Sequence, residues 1–191
     1  MEDNLKKIGL AFLDVLQTVV MAAAVSLIIY LFVLQPHQVK GQSMVPSFQD
    51  GEYLLTDKIS YKFGSPQRGD VVILKAPPTE WCAERNCEYI KRIIGVGGDK
   101  VRLVGDKVYV NGTPVPTDFL PPDGSTNPGG YLQEDGEVVV PEGDYLVMGD
   151  NRLHSRDGRE FGPIPRSSLI GKALFRYWPP KASGFIKKHS F

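Results

Sequence analysis

No charged side chain occurs along residues 15–34 (VLQTVVMAAAVSLIIYLFVL). As a helix this run would span about 30 Å, the thickness of a bilayer's hydrocarbon core. It predicts one transmembrane helix, preceded by a short cytoplasmic segment over residues 1–14. A cleavable signal peptide has a similar outline, because Lys6 and Lys7 precede the run and three alanines stand at 22–24. The apolar stretch continues well past those alanines, beyond the ~7–15 residues of a signal-peptide core, so a retained anchor is expected. Lys6 and Lys7 hold the N-terminus on the cytoplasmic side and send the chain that follows to the outer face.

Beyond the anchor the helical period disappears. Short runs rich in Val, Ile, Leu and Tyr alternate with Gly, Pro, Asp and Asn: GEYLLTDKI, GDVVILKAP, EYIKRIIGV, DKVRLVGDKVYVNGTPV, GEVVVPEGDYLVMGDN and SLIGKALFRYW. This spacing predicts a mostly β, antiparallel domain over residues 36–180. VRLVGDKVYVNG is the clearest hairpin, with Gly105-Asp106 at its turn. Residues 106–136 read as a hairpin and loop region inserted into the sheet, because from 113 onward the chain is rich in Pro, Gly and Asp and poor in aliphatics. The basic tail, residues 181–191 (KASGFIKKHSF), is expected to fray, with contact to anionic lipid as the alternative.

In 191 residues, 22 Lys and Arg balance 22 Asp and Glu. No basic excess draws this chain to nucleic acid. Cys82 and Cys87 lie close together in a polar loop, TEWCAERNCEY. In an oxidising space they suit a local disulfide. Two free thiols remain open, whereas zinc is disfavoured because no histidine stands nearby to complete a site.

The stretch GQSMVPSFQDG, residues 41–51, puts a serine in a turn just past the membrane run. A serine hydroxyl is a poor nucleophile without a base to take its proton. Of the three histidines, His37 is next to the membrane, His189 is in the tail, and His154 lies in the turn GDNRLHSRDG; a triad of Ser43, His154 and an aspartate is conceivable. Lys91 is the other candidate. It stands among aliphatics in EYIKRIIGVGGD, and a strand buried on both faces would lower its pKa enough for a neutral amine to serve as base. On periodicity alone the same lysine reads more readily as a surface cation paired with Glu88.

Four segments in one order resolve that ambiguity: SMVPSF at 43–48, RGDVVIL at 68–74, YIKRIIGVGGD at 89–99 and GDNRLHSRDGREFGPIP at 149–165. With the preceding apolar helix they resemble the bacterial type I signal peptidases, membrane serine proteases that remove signal peptides from exported proteins. The resemblance implies a Ser-Lys dyad with Ser43 as nucleophile and Lys91 as general base. It implies that Met44 and Pro46 shape the turn behind the serine and that Ser155 hydrogen-bonds and orients the lysine amine. Arg92, Asp150, Asp157 and Arg159 match charged residues that pair around the site.

Some family members carry a serine two positions before the nucleophile, where its hydroxyl helps bind the oxyanion; here it is Gly41. The oxyanion and substrate contacts then fall to the backbone around Gly41, Gln42, Ser43 and Met44. Two other departures are Gly97-Gly98-Asp99 for the usual Pro-Gly-Asp and Asp157-Gly158-Arg159 for the usual Asp-Ser-Arg. The expected partners are preprotein signal peptides and the lipid bilayer, with no nucleic acid. The expected enzyme is a monomer in the bacterial cytoplasmic membrane, needing no metal or cofactor. The rivals are another Ser-Lys protease, such as a self-cleaving repressor type, and a membrane-anchored β-domain that captures peptides without cutting them.

Overall fold

The computed structural model describes residues 2–78, 80 and 87–191. The chain opens with α1 (Glu2–Phe32). It continues as β1 (Leu34–Gln38), β2 (Tyr53–Asp57), α2 (Ser60–Phe63), β3 (Val71–Lys75), β4 (Glu88–Val96), β5 (Lys100–Val104), β6 (Lys107–Val110) and β7 (Thr113–Pro114). Then follow β8 (Glu137–Val139), β9 (Asp144–Met148), α3 (Gly158–Phe161), β10 (Ile164–Pro165), β11 (Leu169–Trp178) and β12 (Gly184–Phe185). The fold is mostly β, as expected, and every strand pairing is antiparallel.

α1 extends further toward the N-terminus than the uncharged run and stops at Phe32, so Leu34 already belongs to a strand. Its side chains from Lys6 onward are exposed, and it is the one helix among the described residues long and apolar enough to cross a membrane. Its last turn is not left open. Lys58 Nζ donates to the Leu31 carbonyl at 2.9 Å, and the Lys58 amide donates to the Val33 carbonyl at 2.9 Å. These groups satisfy carbonyls that have no partner within the helix and set a cation at the negative end of its dipole.

The larger sheet runs β1-β2-β11-β3-β4-β9-β10, with β12 added to β11; the smaller runs β7-β6-β5-β8. β3 reads VVILK because it is covered on both sides: Val71 and Ile73 enter one core with Val39, Met44 and Phe48, while Val72 and Leu74 enter another with Tyr145 and Val147. The predicted hairpin is β5–β6, with Val104 opposite Lys107 and Gly105 at φ +60°. Its alternating Val101, Leu103, Val108 and Val110 face a third core, shared with Leu146 and Met148 of β9. The Pro- and Gly-rich stretch that follows is not featureless, because Phe119, Leu120 and Leu132 fold back into that core.

The tail does not fray. Phe185 of β12 is opposite Phe175, Ile186 packs on the core beneath the serine turn, and Phe191 packs on the core of the smaller sheet. Gly69, at φ +83°, allows this course: a Cβ there would lie 1.7 Å from the His189 carbonyl oxygen. A chain shortened to Ser183 is therefore expected to lose about 2–4 kcal/mol of stability, from burial of two large apolar side chains. Chemical unfolding in mild detergent measures this, and an unchanged midpoint would mean that the docked tail contributes nothing net.

Candidate active site

Three parts of the chain converge on Ser43. The turn at residues 41–47 leaves β1 and is anchored beneath by Met44, 1 % exposed, whose carbonyl accepts from the Phe48 amide at 2.9 Å. β4 brings Lys91, and the segment after β9 closes over both, its Asn151 amide donating to the Ser43 carbonyl at 3.0 Å. Lys91 Nζ is 2.7 Å from Ser43 Oγ. The lysine is buried, not paired at the surface with Glu88 as periodicity alone suggested. Burial pushes its pKa down from 10.5 to about 8; Asp157 pulls it upward, Arg159 downward, and Asp150 upward.

Those charges come as matched pairs. Arg92 Nε and an Nη reach the two carboxylate oxygens of Asp150 at 2.8 and 2.6 Å, and the guanidinium lies 4.3 Å from the Phe119 ring centre. Arg159 embraces Asp157 in the same two-pronged way at 2.8 and 2.9 Å. Asp157 also accepts from the Gly149 amide at 2.9 Å. Burial acts to raise the Asp157 pKa, but the hydrogen bonds and charge of Arg159 outweigh it and hold the carboxyl below its ordinary value. Arg159 continues to the Arg152 and Ser155 carbonyls, so one guanidinium fastens most of the turn between β9 and α3.

Several expectations from sequence change here. Ser155 is beside the site, but its buried hydroxyl makes no hydrogen bond, and the anticipated bond to Lys91 is not formed. His154 is exposed, which leaves the alternative histidine triad without geometric support. The Gly41 amide is not open to an oxyanion, because it donates to Asp50 Oδ1 at 2.7 Å. Gln42 and Ser43 amides have no acceptor among the described residues and point to where such donors remain. Pro46 lies in the same exposed turn, and Cys82, half of the anticipated disulfide, lies outside the described residues. No cluster of three His, Cys, Asp or Glu gathers among the described residues in a form that would hold a metal.

Two glycines of the 149–165 motif matter for a packing reason that the motif does not reveal. A Cβ on Gly149 would stand 2.3 Å from Ser155 Oγ and 2.5 Å from the Ser43 carbonyl, so only glycine lets these segments touch. A Cβ on Gly158 would strike Leu146 Cδ1 and the Val147 carbonyl, both at 2.8 Å. Neither could be found from local sequence, because both clashes involve chain brought in by the fold.

Beside the dyad opens a cleft of about 580 Å³ between β1 and the first half of β4, with Val39, Leu54, Ile73 and Ile90 in its lining. A hydroxyl beside a buried amine, and a cleft with both apolar and polar lining that is open to an extended chain, suit peptide hydrolysis.

The sequence model of the family described as signal peptidase, peptidase S26, matches residues 12–178. Signal peptidase IB of Staphylococcus aureus (strain COL) is 34% identical over 180 residues, covering 87% of this chain and 91% of that protein. A probable signal peptidase I-2 of Synechocystis is 36% identical over 177 residues, covering 92% of this chain and 77% of that protein. The crystal structure of a signal peptidase I from Enterococcus faecalis is 28% identical, with a TM-score of 0.45, covering 57% of this chain and 97% of that one. The chain belongs to the signal peptidase family, peptidase S26, serine proteases that hydrolyse signal peptides.

Proposed function

We propose that Ser43 is the nucleophile and Lys91 the general base of this signal peptidase. The observation that carries the assignment is the 2.7 Å contact between the serine hydroxyl and an amine held in a water-poor site. Neutral Lys91 takes the proton as Ser43 Oγ attacks the scissile carbonyl carbon. The ammonium returns the proton to the departing amine, leaving an acyl-enzyme. A water, deprotonated by the same lysine, then attacks the ester carbonyl, and the proton passes back to Ser43 Oγ as the acid product leaves. The Ser43 amide and the amide of Gln42 stabilise the oxyanion.

The substrate binds as an extended strand between β1 and β4, its residues −1 and −3 turned into the cleft. Arg92, Asp150, Asp157 and Arg159 hold the framework, while Met44 and Pro46 shape the serine turn. Ser155 offers the lysine a hydroxyl that its present geometry leaves unpartnered and that a small rotation in the Michaelis complex would engage. The partner is a preprotein emerging from export, and the enzyme acts as a monomer. Lys6 and Lys7 support a cytoplasmic N-terminus and a catalytic domain, residues 36–180, on the outer face of the bacterial cytoplasmic membrane.

Ser43→Ala and Lys91→Met are each expected to lower preprotein cleavage at least about a thousandfold with the fold retained. Lys91→Arg is expected to fail as well, because guanidinium stays protonated. Substantial cleavage by either lysine variant, followed by gel shift of the preprotein, would sink the dyad.

The kcat/KM profile is expected to rise with pH through about 8 and level above it, since the base acts only when neutral. Stability is linked to the same proton. Between about 8 and 10.5 the unfolded lysine is protonated and the folded one is not, so wild-type stability rises with pH across that window. Lys91→Met removes the cost of burying the ammonium. The variant is expected to gain roughly 3 kcal/mol over wild type below pH 8, an advantage that fades by pH 10.5. A rate limb centred near 10.5, or no pH-dependent stability difference, would contradict a buried base.

Ser155→Ala separates an orienting hydroxyl from an idle one. Expected is a kcat reduced about ten- to a thousandfold with KM nearly unchanged, because a misaligned amine weakens only the transition state. Wild-type kcat in a folded variant would leave Ser155 without a part in orienting Lys91.

A further inference from the structure

Among the described residues a second cavity stands apart from the dyad. Successive side chains of β4 point to opposite faces. Lys91 lines the cleft beside Ser43, and the next residue, Arg92, lines a separate cavity of about 340 Å³. Ser47 and Phe48, where the serine turn ends, form one wall of it, and Arg176 of β11 forms another. The docked tail closes round it with residues 182–187 and His189.

The charges that line this cavity have one sign. Arg92, Arg176 and Lys187 bring three cations, and no carboxylate lines it. The Arg92 side chain is only 2 % exposed. Asp150 holds the Arg92 guanidinium and Glu52 holds that of Arg176, so both are fixed in place, yet each keeps donors to spare. Arg176 spends Nε on the Ala182 carbonyl at 2.7 Å and one Nη on Glu52 and the Ser47 carbonyl at 2.8 and 3.2 Å. Its other Nη has no acceptor among the described residues, and neither has Lys187 Nζ. An Nη of Arg92 reaches Ser47 Oγ only at 3.5 Å.

The arrangement of donors selects the chemistry of a ligand. A carboxylate matches one guanidinium, because both are planar forks. Here the donors come from three directions: Arg176 on β11, Arg92 with Ser47 at the serine turn, and Lys187 on the tail. A tetrahedral oxyanion has oxygens for all three, and bonds between ions are the strong ones. Phe185, 76 % exposed, stands at the rim and leaves room for an ester substituent to pass out.

We infer that this cavity binds a phosphate-class oxyanion, the free ion or a phosphate ester, through Arg176, Lys187 and Ser47 with Arg92 behind them. Such an anion joins the tail to the turn that carries Ser43. Arg176 already bridges these two segments through the Ala182 and Ser47 carbonyls, and the anion adds Lys187 to the bridge.

The test is equilibrium dialysis of the full-length enzyme in mild detergent against radiolabelled inorganic phosphate at constant ionic strength. Expected is saturation at about one phosphate per chain, with a Kd on the order of 1 mM or tighter. Lys187→Glu reverses the one mobile cation and is expected to weaken binding at least tenfold. Lys188→Glu makes the same change of net charge at the next residue, which does not line the cavity, and is expected to move Kd less than threefold. Ser47→Asp sets a carboxylate into the wall and is expected to abolish saturation. In wild type, about 20 mM phosphate is also expected to raise Tm by at least about 3 °C, a rise that Lys187→Glu loses. Displacement of the label by glycerophosphoglycerol, the soluble headgroup diester of phosphatidylglycerol, as readily as by phosphate marks an ester as a fitting occupant; displacement by phosphate alone marks the free ion, and either upholds the site. Absence of saturable binding to wild type overturns the inference. Equal weakening by Lys187→Glu and Lys188→Glu overturns it as well, because it reveals a diffuse attraction of anions to the tail and not a site.

Discussion

The buried amine of Lys91 is the constraint from which the rest of the site follows. An amine acts as a base near neutral pH only if its ammonium form is made unfavourable, and here desolvation is the largest influence in that direction. Desolvation takes a great deal of structure to arrange. Lys91 sits mid-strand between β3 and β9, with the segment after β9 folded over the serine turn. The neighbouring charges must not undo it. Two aspartates alone would reprotonate the lysine, and two arginines alone would repel it. Arg92–Asp150 and Arg159–Asp157 are two-pronged pairs that hold the segments together; Asp157 and Asp150 pull the lysine pKa upward and Arg159 downward, and burial remains the largest influence.

The same demand explains the site's glycines. Excluding water from an amine requires backbone segments to meet without gaps, and a single Cβ at Gly149 would push the Ser155 segment off the serine turn. Gly41, at φ +85°, does a related task by a different route. Its positive φ lets the chain reverse after β1, and its amide is fixed to Asp50, so the amides of the serine turn are positioned from both ends.

Much of this was legible in the sequence, for reasons that differ by element. β3 is buried on both faces and reads as an aliphatic run up to Lys75, β4 is buried through its middle with Lys91 and Arg92 set among its aliphatics, and β5 and β6 face one core and alternate. β1 was not legible: LQPHQ carries no alternation, and its Pro36 is tolerated because β1 is an edge strand. The two-residue strands β7, β10 and β12 are too short for any period, and β12 exists only because β11 offers it a partner. At the site, Ser43 and Lys91 were legible through the order of four motifs, not through periodicity, which favoured a surface lysine. The Asp50 bond to Gly41 and the approach of His37 to Glu88 across the cleft were not, since both join residues that local sequence leaves apart.

β1 also explains why the reactive serine follows so closely on the apolar helix. One strand is at once the continuation of α1 and a wall of the cleft, giving Val39 and His37 to it before the chain turns at Gly41. Lys58 ties the end of the helix to the loop after β2, so the joint between anchor and body is hydrogen-bonded rather than a free linker. A flexible tether would raise the local concentration of enzyme and substrate in one membrane but leave the direction of the cleft to chance. With the helix end capped and β1 paired to β2 along its length, the orientation of the helix is passed directly to the strand that walls the cleft. Under the proposed placement of the substrate, that coupling would set the depth of the bond presented to Ser43.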